Sequence, residues 1–169
     1  MALSLPRIAD LLRHLEDLRT DTYEGATAWP DRVRRFELAA GLLNPVVSSC
    51  FGHVDRELLD GTGRIRRELR IVDSAAVARW QLSWPVPAER ELPPVQVLLK
   101  FPRSSPHPHL TGTTIGSWPV QVTSAEDAHR QSAVVSTVIE AELNKRIWDF
   151  GWRAFPGYAR RFSPSAVRG

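Results

Sequence analysis

The chain has 169 residues, 43% of them hydrophobic and 24% charged, with 22 Lys and Arg against 19 Asp and Glu for a formal charge of +3. Those proportions suit one globular domain with a real core. A single cysteine, Cys50, rules out an internal disulfide scaffold, and no apolar run reaches the ~18 residues of a membrane span.

The opening residues MALSLPRIADLL lack a basic start, an apolar h-region and a small-residue cleavage site, so a cytoplasmic protein without a membrane partner is expected. Arginines cluster at Arg32, Arg34 and Arg35, at Arg64, Arg66, Arg67 and Arg70, and at Arg160, Arg161 and Arg168. Glutamates interleave with them, which is not the concentrated basic face that nucleic-acid binding requires. Nucleic acid is therefore not an expected partner.

In chain order, Pro6 to Arg19 predicts a helix, because Ile8, Leu11, Leu12, Leu15 and Leu18 recur at three- and four-residue spacing. Arg32 to Leu43 predicts a second helix, stopped by Asn44-Pro45. Val46 to His53 suits a strand or a short helix, and Val54 to Leu59 a helical turn ended by Asp60-Gly61-Thr62-Gly63. Three strands follow: Arg64 to Val72 with outward arginines, Val77 to Trp84, and Val95 to Phe101, the last two joined by a proline-rich connection over 85–94. Short connections predict antiparallel neighbours. Ser124, with Asp127 three residues on, caps a long helical segment from Ala125 to about Phe150, broken near Ser132. Gly151 ends it, and an aromatic tail of Trp152, Phe155 and Tyr158 leads to a terminus expected to fray from Phe162. The reading is one α+β domain over residues 1–169: N-terminal helices (1–60), an antiparallel meander of three to four strands with a central loop (64–122), and a long C-terminal helical segment (125–158).

The densest candidate chemistry lies between Pro93 and Pro119. His107 and His109 stand two residues apart, so in an extended segment both imidazoles point the same way. They would suit zinc or iron if Glu140, Glu142 or His129 completed the set. Without metal, His107 and His109 would serve as acid–base or ligand contacts beside Glu142, or simply hydrogen-bond the loop. The run Thr111 to Gly116 bares backbone amides to an anion, or is a plain turn. Arg103 and Arg130 would complement an acidic ligand. Trp84 and Trp118 would wall an apolar pocket or close a core. Glu142 and Arg146 are expected as a surface pair, and Cys50, with His53 three residues on, as a buried thiol.

Trp80 to Pro85 (WQLSWP), Pro93-Pro94 with the strand that follows, His107-Pro108-His109, Gly112 and Ile115 together resemble the ubiquitin-conjugating (E2-like) fold. The resemblance covers about Arg64 to Leu143. It implies a helix, a meander, a His-Pro-Asn-type loop and following helices. Gly116 stands where the family's catalytic cysteine would be, and His109 replaces its asparagine. The resemblance thus implies a non-conjugating variant. Such a protein would bind a protein or small molecule over the His107 to Trp118 loop. The competing expectation is a small enzyme, metal-dependent or not, built on the two histidines and a helix carboxylate. Exposed tryptophans, if present, would favour a partner surface or a homodimer.

Overall fold

A computed structural model describes residues 6–86 and 91–163. Two helices, α1 (Ile8–Thr20) and α2 (Trp29–Val54), precede a π-helical turn (Asp55–Leu59). The meander β1 (Arg64–Val72), β2 (Ala75–Ser83), β3 (Val95–Pro102), β4 (His109–Thr111) and β5 (Trp118–Pro119) follows. Helices α3 (Ala125–Arg130) and α4 (Ser132–Phe150) come next, then a 3-10 turn (Trp152–Ala154), α5 (Pro156–Ala159) and a last 3-10 turn (Arg160–Phe162). This is the expected α+β architecture, with its N-terminal helices, antiparallel sheet and long C-terminal helix. The five strands lie in sequence order, each antiparallel to the next. Part of the connection over 85–94, and most of the expected frayed terminus, fall outside the described residues.

The second helix does not stop at Asn44-Pro45. It runs through Pro45, and the segment left open between strand and helix is helix. The reason is packing. Phe36, Ala40, Leu43, Val47, Phe51 and Val54 recur at helical spacing on both sides of the proline and are all buried. Their burial outweighs the ~3 kcal/mol that an internal proline costs. Asn44 serves the sheet instead of stopping the helix. Its Oδ1 accepts a hydrogen bond from Trp80 Nε1 at 2.9 Å, tying α2 to β2.

Alternation sets the sheet's inner face. Ala76, Ala78, Trp80 and Leu82 of β2 are buried, as are Val95, Val97, Leu99 and Phe101 of β3. Phe36 and Tyr23 pack on Phe101 from the helical side. Strand β1 is the sheet's edge. Every residue of it is exposed, although Ile65, Leu69 and Ile71 pair with Leu82, Ala78 and Ala76 and so share the inner face. Ser124 Oγ accepts the Asp127 amide at 3.1 Å, the expected cap, and the helix is broken at Gln131 as expected.

Candidate functional site

Helix α1 is docked with its polar face inward. Asp17 is buried, and Asp10, Arg13 and His14 are half-buried. The apolar residues Ile8, Leu11, Leu12, Leu15 and Leu18 face solvent and are 47–60% exposed. The anchors are electrostatic. Arg13 pairs with Glu24 at 2.6 Å and Asp127 at 3.5 Å. Asp17 Oδ1 accepts from Thr22 Oγ1 and the Glu24 amide, and its Oδ2 from Gln121 Nε2 at 3.2 Å. Asp127 in turn accepts from the Thr123 amide and hydroxyl. Burial works against the Asp127 carboxylate, but those bonds and the nearby Arg13 and Arg130 hold its pKa below the ordinary value.

Beneath α1 lies a histidine cluster. The His14 ring meets His107 edge-on, with centroids 4.4 Å apart, and His107 stacks on His109 at 5.3 Å with 28° between planes. His107 is fully buried, and among the described residues neither ring nitrogen has a hydrogen-bond partner; its Nδ1 lies 3.7 Å from Asp17 Oδ2, beyond bonding distance. Burial, then the neighbouring His14 and His109, push the His107 pKa down to about 4. Burial and His14 lower His109 as well.

The histidines do converge, but not for a metal. Among the described residues no group of three or more His, Cys, Asp or Glu is arranged to hold one. Chelation needs lone pairs of three or more such groups aimed at one point, and stacking or edge-on contact between two rings does not supply that. Glu140 is exposed, and Glu142, two residues on, is buried on another side of α4, as helical geometry requires. The expected zinc or iron site at His107, His109 and Glu140 is therefore overturned.

Glu142 instead closes the far side of the loop. Its Oε1 accepts from the Thr113 amide at 2.7 Å, the Thr113 hydroxyl at 2.6 Å and the Thr114 hydroxyl at 2.8 Å. Burial raises its pKa, but these bonds and Arg146 prevail and keep it below normal. One amide of the threonine–glycine run, that of Thr113, thus faces an anion together with two hydroxyls, and that anion is the protein's own carboxylate. Gly112 is required beside it, since a Cβ there would stand 2.9 Å from Val138 Cγ1 and 3.1 Å from Glu142 Oε1. Arg146 lies 3.0 Å from Glu142 Oε2 and directs its other donors to the carbonyls of Pro93 and Pro94. The pair expected at the surface is buried. No hydrogen bond, ion pair or ring contact joins Glu142 to His107 or His109 among the described residues.

The remaining candidates scatter. Trp84 is core: it packs on Phe155 and donates from Nε1 to the Ala154 carbonyl at 2.7 Å. Arg103 lies exposed over Trp29 and donates to the Asp73 carbonyl, and Arg130 is paired with Asp127. His129 is exposed, and Cys50 is half-buried, its Sγ 3.8 Å from Ser136 Oγ. Of these, Trp118 alone lines an open cleft. With Pro119, Gln121, Gln131 and Val134 on one side, and Arg7 with Asp10 and Leu11 of α1 on the other, it lines a cleft of about 480 Å³. The cleft and His14 escaped the sequence reading. Among the described residues, no helix is long and apolar enough to cross a membrane. Compared with known proteins, the chain matches no family model, no curated protein and no solved structure.

Proposed function

We propose that this chain is a non-conjugating, E2-like binding module that recognises a protein through α1 and the Trp118 end of the central loop. One observation carries the reading: α1 spends its polar face on docking and leaves five large aliphatic side chains to solvent beside an open cleft. A monomer loses by such exposure unless something covers it. The stripe at Ile8, Leu11, Leu15 and Leu18 follows the a/d spacing by which one helix packs on another. The partner is accordingly a protein element with an apolar face, rather than a small molecule at His107, which is sealed from solvent.

The E2-like part of the proposal is supported by the element order, with a helix-led meander, a His-Pro loop and helices after it. A glycine at 116 has no thiol to offer, and the sole thiol, Cys50, sits on α2. A cytoplasmic setting belongs to the same proposal. The test is photocrosslinking from position 12 in the native cells. The expected result is a discrete protein adduct that disappears in Leu11→Lys/Leu15→Lys and weakens in Trp118→Ala. An adduct pattern identical in all three proteins would overturn the reading.

A further inference from the structure

A second surface lies at the opposite end of α4 from the cleft. Gly151, at φ 77°, ends that helix and turns the chain back onto the π-helical turn. The return is tight and fixed. A Cβ on Gly157 would stand 2.7 Å from the Leu58 carbonyl carbon and 2.8 Å from its oxygen, so only glycine allows this approach. Arg160 Nη1 donates to Asp60 Oδ2 at 2.7 Å. Held this way, Leu58, Ile147, Trp152, Phe155 and Tyr158 line an apolar hollow of about 280 Å³.

The rim is unusually bare. Phe162 is 63% exposed, and Trp152 and Tyr158, whose rings it meets, are also open to solvent. Together these three rings leave roughly 300 Å² of aromatic surface in water, within the range of the largest patches on ordinary monomers. Two guanidiniums sit among them. Arg153 lies over the Trp152 ring at 5.1 Å and Arg161 over Tyr158 at 5.9 Å. Among the described residues neither has a carboxylate partner, whereas the nearby Asp60 and Asp149 are already paired with Arg160 and Lys145.

We propose that this hollow docks an acidic protein segment, which inserts one large apolar side chain against Phe155 and sets flanking carboxylates on Arg153 and Arg161. Size supports an anchor: the hollow accepts a side chain but is small for a cofactor. Charge selects the partner, since two unpaired cations beside an apolar hole complement acids flanking a hydrophobe. A second copy of the same patch would bring arginine against arginine. A nucleic-acid strand fits less well, because the two guanidiniums occupy the ring faces on which bases would stack, and Trp152 meets Tyr158 and Phe162 edge-on.

The experiment uses the full chain and fluorescence anisotropy. The probes are four short labelled glutamate-rich peptides, each with one central Trp, Phe, Leu or Ile, with lysine-rich counterparts and a labelled oligothymidine as controls. Saturable binding of at least one acidic peptide is expected. Trp152→Ala and Arg153→Glu/Arg161→Glu should each weaken it by about tenfold or more, while Trp118→Ala leaves it unchanged. The proposal is overturned if no acidic peptide saturates by about 1 mM. It is equally overturned if a lysine-rich peptide or oligothymidine binds as tightly, or if charge reversal shifts affinity by less than about twofold. Sedimentation of the unliganded protein adds a last arm: self-association abolished by Phe162→Glu would assign the surface to a second copy instead.

Discussion

Glu142 and His107 are both fully buried polar side chains gripping the same loop from opposite ends, and they are held in opposite ways. Glu142 has three donors on Oε1, while its Oε2 accepts no hydrogen bond among the described residues and is balanced by the Arg146 guanidinium 3.0 Å away. Among the described residues His107 has no hydrogen-bond partner on either nitrogen. A buried group held by several donors and a counter-charge locks what it touches; one with neither survives only because the packing around it is worth more than the bonds it lacks. The Glu142 end of the loop is therefore a fixed clasp. The His107 end, with α1 lying over it, depends on staying neutral.

The largest effect should come from breaking the clasp. Glu142→Ala removes the acceptor for three donors and leaves Arg146 without its carboxylate. Loss of one partner of a buried pair costs about 3–5 kcal/mol, read as a fall in the urea midpoint at unchanged slope. Glu142→Gln keeps one acceptor oxygen and should lose about half as much. A loss below about 1 kcal/mol for the alanine variant would mean that the clasp contributes only shape.

The histidine end should respond to pH. The folded-state pKa of His107 lies near 4, below the ~6.5 of an exposed imidazole, so the folded form resists protonation. Its contribution is fully present above about pH 6.5 and is lost as pH falls from there toward about 4, by roughly 3 kcal/mol. Asp17, 3.7 Å away, pulls the other way, but its oxygens are already engaged by Gln121, Thr22 and Glu24. His109 is lowered too and adds to the same slope. Glu142 and Asp127 are depressed carboxylates, so they hold their contribution until pH falls below the ordinary carboxylate range. Denaturation midpoints at pH 7, 5.5 and 4.5 should therefore fall across this window in the natural protein and flatten in His107→Gln. Parallel curves for the two proteins would assign the loss elsewhere.

Much of this contrast is written in the sequence, some of it in a form that admits two readings. The buried side of α4 is Val135, Val138, Ile139, Glu142, Leu143 and Arg146, so helical spacing already places the clasp among the apolar residues. What misleads is the habit of assigning charged pairs to the surface. In α1 the ambiguity is real. Ile8, Leu11, Leu12, Leu15 and Leu18 form one stripe, and Asp10, Arg13, His14 and Asp17 form another with the same period. Periodicity shows that the helix has two faces; only long-range partners, Gln121, Asp127 and His107, decide that the polar one goes in. Proline at 45 and the two short strands β4 and β5 are the mirror case. Local rules stop a helix at Asn-Pro and assign no strand to two or three residues, while packing on the sheet overrides the first and pairing of β4 with β3 and of β5 with β4 supplies the second.

The smallest effect on stability is the sharpest test of which way α1 faces. In a helix docked by its aliphatic stripe, Leu11→Lys and Leu15→Lys would each bury a charge and cost several kcal/mol. In α1 as it sits here, both side chains already stand in water. Each substitution should move the urea midpoint by no more than the equivalent of about 0.5 kcal/mol. The internal reference is Leu43→Ala on α2, which empties a fully buried position and should cost about 2–5 kcal/mol. Measured side by side, a neutral pair at 11 and 15 against a large loss at 43 identifies the outward stripe as surface available to a partner. Equal losses at all three positions would place α1 the other way round. Its polar stripe would then face solvent, and the cleft beside Trp118 would vanish with it.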